Sequence, residues 1–182
     1  GLDAIEVQSD QRQYVSFMVG NEVFAVDMAP VQEIIRVPDV VRVPLAPPTL
    51  DGLSNLRGEV LPIISLARIF GFTERAHDDA TRAVVIDLGQ PLGFVVDRVA
   101  SVLSVDPRQI EGTEGIASAV DTDLLSGLLK DVGGHSMIMV LDFGKLIERE
   151  FGDMQALAGA RGNETGGHRA AGTADADAAA GR

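Results

Sequence analysis

The sequence predicts an all-β protein in which two small barrels pack against each other. Short apolar runs recur at regular spacing, and Gly, Pro, Asn and Asp residues separate them, which is typical of strands joined by turns. Aromatic residues make up only 4% of the sequence, so the core must consist mainly of Val, Ile and Leu, a set that favours strands. One apolar pattern also occurs twice, which favours two related barrels over a single sandwich.

The repeated pattern consists of a strand end, a bend and a further apolar segment. Phe24-Ala25-Val26-Asp27 corresponds to Phe94-Val95-Val96-Asp97, and each follows an apolar strand and a turn that contains glycine. After a two-residue gap, the corresponding positions are Val31, Ile34, Ile35 and Val37 in the first copy and Val99, Val102, Leu103 and Val105 in the second. We expect two modules that share an apolar face, because neither half can bury enough surface alone. Coincidence in a Val-rich chain is the alternative explanation.

In the first half, each predicted strand is bounded by a turn residue or a proline. The predicted strands are residues 14–19, 23–27, 31–37, 40–43, 53–56 and 60–64. Gly20 begins the turn of a hairpin, whereas Pro38 and Pro44 restrict two strands to a sheet edge or a strand end, because proline donates no backbone hydrogen bond. We also expect Thr49 to cap one helical turn over residues 50–53.

The second half follows a short helical turn over residues 66–70 and a polar loop over residues 73–81. Its predicted strands are residues 83–87, 94–97, 124–129 and 137–141. The glycines Gly133 and Gly134 suit the turn of the last hairpin, and Asp142 is placed to cap a final helix. Composition divides the chain into a flexible leader (residues 1–11), a folded domain (residues 12–151) and a disordered Ala- and Gly-rich tail (residues 152–182).

Arg57 occupies a bend between two apolar runs, residues 53–56 and 60–64. Gly58 follows it, and glycine tolerates the positive φ that a tight turn or a bulge requires. A cation is therefore expected at a bend between packed strands. The common role of such an arginine is to cap the turn and extend into water, and display of the cation to a partner is the alternative.

The composition argues against several classes of partner. The formal net charge of −12 opposes binding to phosphate backbones and to anionic lipid, and the basic residues are scattered along the chain. No apolar run approaches the length of a membrane helix, and the sequence contains no cysteine for a disulfide framework. We therefore expect a cytoplasmic protein that contacts neither nucleic acid nor the membrane directly.

No residue pattern indicates catalysis or a metal site. The histidines are His77, His135 and His168. They lie in a polar loop, a Gly-rich turn and the tail, where a surface role is the usual one. The acidic pairs Asp78-Asp79 and Asp121-x-Asp123 lack the ligand spacing of a calcium loop. Asp27 and Asp97 suit a repeated structural role in accepting hydrogen bonds from a turn, and an acid–base pair is the alternative.

Asn55-Leu56-Arg57-Gly58, followed by Val60 and Pro62-Ile63-Ile64, resembles the Asn-Leu-Arg-Gly signature of CheW-type chemotaxis coupling proteins. The similarity covers most of residues 13–151 in order and spacing. Further matching segments are Val31-Gln32-Glu33-Ile34, Asp87-Leu88-Gly89-Gln90 and Val95-Val96-Asp97-Arg98-Val99. One difference follows the proline strand, where the family often has Asp-Leu-Arg and this chain has Ser65-Leu66-Ala67-Arg68, so any pairing made by that acid is in doubt.

The resemblance implies two SH3-like five-stranded barrels that have no catalytic activity and need no cofactor. It implies two protein partners, the regulatory domain of a CheA-type histidine kinase and the helical hairpin tip of a chemoreceptor, which would bind an apolar groove between the barrels. The receptor-binding residues that it implies are Val31, Ile34, Arg57, Gly58, Val99 and Val102. Glu33 and Asn55 are further candidates for partner binding. Arg57 would donate hydrogen bonds to a carboxylate or carbonyl of the receptor.

Two other hypotheses stay open. The first keeps the fold and assigns it to a pilus, gliding or surface-sensing pathway, or to one barrel pair from a kinase or a CheV-type protein. The second, from a different class, is a small β-barrel enzyme or ligand-binding protein that uses the acidic loops. Calorimetric titration with metals and nucleotides would distinguish the second hypothesis from an adaptor.

Overall fold

The computed structural model describes residues 10–152, which contain ten strands and two α-helices. The strands are β1 (Arg12–Val19), β2 (Glu22–Asp27), β3 (Val31–Arg36), β4 (Leu50–Leu56), β5 (Glu59–Ser65), β6 (Arg82–Asp87), β7 (Pro91–Val96), β8 (Arg98–Val105), β9 (Leu125–Val132) and β10 (His135–Leu141). The helices are α1 (Leu66–Phe70) and α2 (residues 143–152), and two short 3₁₀ turns are Pro107–Gln109 and Thr122–Leu124. The predicted all-β class is confirmed. Most of the predicted leader and nearly all of the predicted tail lie outside the described residues.

The strands form two five-stranded sheets that exchange strands between the two halves of the chain. One sheet, here called the first barrel, has the order β8-β1-β2-β10-β9, and the other, the second barrel, has the order β3-β6-β7-β5-β4. The two orders are equivalent: β1 to β5 of one half correspond to β6 to β10 of the other, and exchanging each strand for its counterpart converts one order into the other. The prediction of two related β subdomains is therefore confirmed, and the duplicated pattern corresponds to β2–β3 in one half and β7–β8 in the other.

Each barrel is closed by the same arrangement of backbone. The segment after β3 returns to β4, where the N–H groups and carbonyl groups of Val41 and Leu53 exchange hydrogen bonds of 2.8 and 2.9 Å. The segment after β8 returns to β9 in the same way, through Glu111 and Leu128 at 2.8 and 2.9 Å. These bridges join the two ends of each sheet. The strand predicted over residues 40–43 is thus reduced to the single Val41 bridge, because the chain turns away after one paired residue.

Glycine is required where each closing segment crosses the edge strand. A Cβ atom on Gly52 would lie 2.5 Å from the carbonyl oxygen of Val41, and one on Gly127 would lie 2.4 Å from the carbonyl oxygen of Glu111. No real Cβ contact is this short, and a backbone atom cannot move aside as a side chain can. The two glycines therefore allow the close backbone approach that closes the barrels.

The helical turn predicted over residues 50–53 is wrong, because this segment begins strand β4. Leu50 pairs with Ile64 of β5, and the Thr49 carbonyl accepts a 2.9 Å hydrogen bond from the Ser65 N–H. The long-range ladder with β5 supplies hydrogen bonds that a single helical turn cannot match, so it outweighs the local capping signal of Thr49. The Thr49 hydroxyl is buried without a hydrogen-bond partner among the described residues.

The predicted helical turn over residues 66–70 is confirmed as α1. The Ser65 hydroxyl caps it by accepting a hydrogen bond from the Arg68 N–H at 3.2 Å, and Gly71 ends it with a left-handed φ of 75°. Ser65 stands where the resemblance anticipates aspartate. It retains the capping function of an acid at this position without the negative charge.

Aromatic side chains join the two barrels. Val23 and Ala25 pack in the core of the first barrel, so Phe24 between them points outward, yet it is fully buried. Its ring stacks on Phe70 of α1, which follows β5 of the second barrel, with 4.8 Å between the ring centroids. Phe17 of β1 extends this stack at 6.0 Å from Phe24. These contacts provide the shared apolar face that the sequence analysis expected.

Asp27 and Asp97 lie where the chain crosses from one barrel to the other. The Asp97 carboxylate accepts a 2.8 Å hydrogen bond from the Gly20 N–H, and the Asp97 N–H donates to the Met18 carbonyl at 2.9 Å. The Asp27 carboxylate accepts a hydrogen bond from the Ala29 N–H at 2.9 Å. Both acids thus have the structural role that the sequence favoured over an acid–base pair.

Candidate protein-binding surface

The connection between β4 and β5 is a two-residue turn formed by Arg57 and Gly58. Their φ angles are 50° and 86°, so both residues have the left-handed conformation of a tight hairpin turn. The Asn55 side-chain oxygen accepts a 2.9 Å hydrogen bond from the Gly58 N–H and fixes this geometry. The predicted bend with positive φ is therefore present, and it extends to Arg57 itself.

Arg57 forms an ion pair with Glu33 of β3. The Arg57 side chain is 68% exposed and that of Glu33 is 27% exposed, so the guanidinium lies at the surface while the acid is partly enclosed. β3 contains a β-bulge between Val31 and Glu33, and a bulge changes the direction of the side chains around it. The structure thus brings together two residues that the sequence nominated separately.

The predicted wall residues lie on the edge strands of the two sheets. On β3, Ile35 packs toward the core of the second barrel, and Ile34 next to it is 37% exposed on the outer face. On β8, Leu103 packs toward the core of the first barrel, and Val102 next to it is 58% exposed. Val31 and Val99 are half-buried on the same strands. β3 and β8 occupy corresponding positions in their sheets but belong to different sheets.

An open cleft of about 150 Å³ lies beside Arg57. Its lining residues are Gln32, Leu56, Arg57, Glu59, Val60, Leu61 and Pro91. This volume is smaller than the roughly 300–1,000 Å³ typical of sites for drug-sized ligands. The cleft is therefore too small to enclose a drug-sized ligand.

A second exposed surface, here called the apolar loop, was not recognised from the sequence. It contains Val41, Val43 and Leu45, of which Val41 is 74% exposed and Leu45 is fully exposed. Leu45 also has a positive φ of 64°, which is uncommon for a leucine. The signal in the sequence is the run Val-Arg-Val-Pro-Leu, in which a proline prevents the continuous strand that would bury these residues.

The titratable groups that the sequence considered for chemistry have local roles. The pKa of Asp78 is lowered, mainly because its carboxylate accepts a hydrogen bond from the backbone N–H of Ala80. Asp121 caps the 3₁₀ turn after it by accepting a hydrogen bond from the Asp123 N–H at 3.0 Å.

His77 is exposed and His135 is half-buried, whereas His168 lies outside the described residues. Residues 10–152 contain no group of three or more acidic or histidine side chains placed to hold a metal ion.

Two larger clefts, of about 280 and 350 Å³, share Gly20 and Arg75. Arg75 donates a 2.8 Å hydrogen bond to the Asn21 side-chain oxygen and lies 3.8 Å from the Asp97 carboxylate. The polar groups of these clefts thus stabilise the β1–β2 turn and the crossing between barrels.

Within the described part of the chain, no helix is long and apolar enough to cross a bilayer.

Comparisons with known proteins agree with the two-sheet fold. The family model for the CheW-like domain matches residues 13–151. The chain is 30% identical to the chemotaxis protein CheW of Treponema pallidum, over 84% of this chain and 90% of that protein. It is 34% identical to the chemotaxis protein CheW of Klebsiella aerogenes, over 76% of this chain and 83% of that protein. The scaffolding protein TtCheW of Thermoanaerobacter tengcongensis has a similar structure, with a TM-score of 0.65, 28% identity and coverage of 72% of this chain and 84% of that one.

Proposed function

Because the chain belongs to the CheW-like domain family, a family of chemotaxis scaffold and adaptor proteins, we propose that it couples chemoreceptors to a CheA-type histidine kinase. The observation that carries this proposal is the exposed Arg57 guanidinium, which forms an ion pair with Glu33 on the strand that also carries the exposed Ile34. The protein acts in the cytoplasm, where receptor arrays recruit it. It catalyses no reaction, and its function consists of bringing two other proteins together.

The receptor tip binds along β3 and β8. A short amphipathic helix that lies in a groove needs branched apolar walls and a few polar groups that fix its position. Val31 and Ile34 provide one wall and Val99 and Val102 the other. Arg57 stands at the end of the β3 wall, where its remaining N–H groups donate to a carboxylate or carbonyl of the receptor. A planar guanidinium offers several such donors in a fixed geometry.

The kinase binds a separate surface, because an adaptor must hold both partners at once. The apolar loop meets this requirement, since Val41 and Leu45 are exposed, uncharged and large enough to fill a pocket. The loop belongs to the segment that closes the second barrel, so the bridge at Val41 anchors it to β4. The kinase regulatory domain, itself a pair of barrels in this family, presents the complementary apolar surface.

Assembly explains how such an adaptor transmits a signal without chemistry. Many modest contacts within an array act together, so that their joint effect exceeds the affinity of any single contact. A ligand on the receptor changes the relative populations of these contacts, and the kinase responds to that change.

Purification with a tagged chain of residues 1–182 tests the proposal. The chain is incubated with cytoplasmic extract and solubilised membranes, and the captured proteins are identified. We expect a histidine kinase and a chemoreceptor to be captured together by the wild-type chain, and the receptor to be depleted with Arg57→Ala. Capture of neither protein would contradict the proposal.

A further inference from the structure

We infer that Arg36 and Arg82, here called the arginine pair, form a second cationic site that selects chemoreceptors with an acidic side chain one helical turn from their apolar contact residue. This inference rests on the function proposed above, because that function places the receptor along β3. It concerns which receptors the chain accepts, which the apolar wall residues do not decide by themselves.

The arginine pair lies across two neighbouring strands of the second barrel. Arg36 of β3 is directly opposite Arg82 of β6, and residues so placed share one face of a sheet. The adjacent pair, Ile35 and Ala83, faces the barrel core, since Ile35 packs there and Ala83 is fully buried. The arginine pair therefore lies on the outer face, because successive side chains of a strand point to opposite faces.

This position separates the arginine pair from the turn that carries Arg57. The ion-pair partner of Arg57 is Glu33, which is paired in register with Val85, a residue of the barrel core. Glu33 thus belongs to the inner side of β3 and Arg36 to the outer side. The two cationic sites can be changed independently by mutation.

Within residues 10–152, neither member of the arginine pair forms an ion pair. The acidic residues of the adjoining segments, Asp39, Asp78 and Asp79, contact neither guanidinium through a carboxylate. By contrast, four other arginines each form an ion pair with a carboxylate: Arg12, Arg57, Arg68 and Arg108. The chain has a formal net charge of −12, so two opposed arginines without an acid are a local exception to its charge.

The backbone holds Arg82 in this position. One terminal nitrogen of its guanidinium donates hydrogen bonds to the carbonyls of Asp79 and Thr81, at 2.7 and 2.8 Å. Movement of the side chain away from Arg36 would break both hydrogen bonds. A guanidinium has five N–H donors, so others remain for a partner.

The corresponding position of the first barrel is neutral and satisfied. In the duplicated pattern, Arg36 corresponds to Ser104, which lies opposite Gln13 of β1. The Gln13 side-chain nitrogen donates to the Ser104 hydroxyl at 3.3 Å, and that hydroxyl donates to the Gln11 side-chain oxygen at 2.6 Å. The fold therefore does not require charge at this position.

Repulsion within the arginine pair favours an acidic ligand. Like charges directly opposite each other destabilise a sheet, so the arginine pair costs stability in the free chain. A charged edge residue also prevents unwanted strand pairing, but Arg82 lies on β6, which is inside the sheet. A carboxylate bound by both guanidinium groups would remove the repulsion and accept charge-assisted hydrogen bonds.

The position of Ile34 determines how the acid is spaced in the partner. Ile34 and Arg36 are two positions apart on β3, so their side chains share the outer face at a separation of about 7 Å. Ile34 is 37% exposed, whereas Val84 opposite it is fully buried, so the exposed strip follows the edge strand. One helical turn advances about 5.4 Å. A receptor helix whose apolar residue contacts Ile34 therefore brings an acid three or four positions further along to the arginine pair.

Calorimetric titration of the chain of residues 1–182 with a purified chemoreceptor hairpin fragment tests this inference. Arg36→Gln and Arg82→Gln should each raise the dissociation constant at least about fivefold and leave the melting temperature unchanged or higher, because the repulsion is relieved. Raising sodium chloride from about 0.05 M to about 0.5 M should weaken binding of the wild type more than binding of the double variant. Arg108→Gln is the matched control, since it changes the net charge equally at an exposed arginine, and it should bind as the wild type does.

A second fragment identifies the group that the arginine pair binds. In this fragment, the acids one helical turn from its exposed apolar residues are changed to the corresponding amides. It should bind the wild type more weakly than the acidic fragment does, and it should bind the double variant and the wild type equally.

The outcomes separate this inference from the proposed function. If the wild type binds the fragment and the two arginine variants bind it equally well, the acid-selecting site is overturned while the coupling function stands. A lower melting temperature that accompanies weaker binding would also overturn it, because the arginines would then stabilise the fold. Weaker binding of the kinase regulatory domain alone would overturn the receptor as the ligand. Failure of the wild type to bind any fragment would overturn both the inference and the proposed function.

Discussion

The guanidinium group of Arg57 forms an ion pair with the carboxylate of Glu33, although 24 residues separate them in the sequence. The pair connects the β4–β5 turn to β3, which lies at the opposite end of the second sheet. It is exposed on the arginine side, and Ile34, the residue after Glu33 on β3, is 37% exposed. An amphipathic helix binds through its apolar face, so a cation near an exposed apolar side chain suits the partner proposed above.

Arg57→Ala should weaken receptor binding and leave stability nearly unchanged. Loss of a charge-assisted hydrogen bond to the partner costs about 1.5–3 kcal/mol of binding free energy, whereas an exposed ion pair contributes about 0–1 kcal/mol to folding. Calorimetric titration with a purified chemoreceptor hairpin fragment measures the binding free energy. Urea unfolding measures the free energy of unfolding. Arg108→Ala is the matched control, because it removes another exposed arginine that is paired with an acid. Equal loss of binding and stability in Arg57→Ala would make the residue structural.

Val102→Asp should reduce receptor binding more than kinase binding. Val102 is 58% exposed on β8, so the fold tolerates an acid there, but a helix in the groove does not. Titrations with the receptor fragment and with the kinase regulatory domain are repeated with Leu88→Asp. This variant places an acid at another exposed apolar position, 53% exposed, in the turn between β6 and β7 and not on β3 or β8. A greater loss of kinase binding would show that the two surfaces are assigned the wrong way round.

Leu45→Asn should reduce kinase binding and leave the free energy of unfolding unchanged. Asparagine tolerates the left-handed conformation of Leu45, whose φ is 64°, and the exposed leucine side chain contributes nothing to the core. Burial of a leucine in an interface contributes about 1.5–3 kcal/mol, so binding to the kinase regulatory domain should weaken at least about tenfold. Unchanged kinase affinity would remove the apolar loop from the proposal.

Gly52→Ala and Gly127→Ala should each destabilise the fold without a direct effect on the binding residues. The added Cβ atom would lie 2.5 or 2.4 Å from a backbone carbonyl oxygen, and forced overpacking typically costs about 1–3 kcal/mol. Urea unfolding of both variants is compared with that of Gly71→Ala, where φ is 75° and a Cβ atom would contact nothing within 4 Å. The two closing glycines should cost more than this control, and equal costs would contradict the proposed role of close backbone approach.

Asp51→Asn should stabilise the protein at neutral pH and have no effect in strong acid. Burial raises the pKa of Asp51 above its ordinary value of 3.8, and the nearby Glu74 carboxylate acts in the same direction. As the pH rises from 3.8, the unfolded chain loses this proton first, so stability falls until the folded state has also ionised. Urea unfolding of wild type and variant at pH 3 and pH 7 measures the difference. A gain that persists at pH 3 would exclude ionisation as its cause.

The sequence was sufficient to predict the fold where local patterns and pairing agree. The hairpin at Gly20, the turn at Arg57 and Gly58, and the turn at Gly133 and Gly134 all combine apolar runs with residues that tolerate the required backbone. The duplicated pattern around Phe24 and Phe94 also indicated two related modules, since it repeats a strand and the bend after it.

Long-range pairing determined what the sequence could not predict. The segment at Leu50 has a local signal for a helical turn, but its hydrogen bonds are made with β5. The pairing of Glu33 with Arg57 depends on which strands lie at the two ends of one sheet, and the exchange of β3 and β8 between halves has no signature in the sequence. The exposure of Leu45 likewise follows from the path by which the chain closes the barrel. The roles of Val31, Ile34, Val99 and Val102 in receptor binding stay predictions.

Sedimentation of the kinase with receptor-containing membranes tests the coupling function most directly. Purified kinase is mixed with membranes that carry the receptor, with and without the chain of residues 1–182, and the kinase in the pellet is measured. We expect the kinase to sediment with the membranes only when the wild-type chain is present, and to remain largely in the supernatant with Arg57→Ala. The same amount of sedimented kinase with and without the chain would contradict the account.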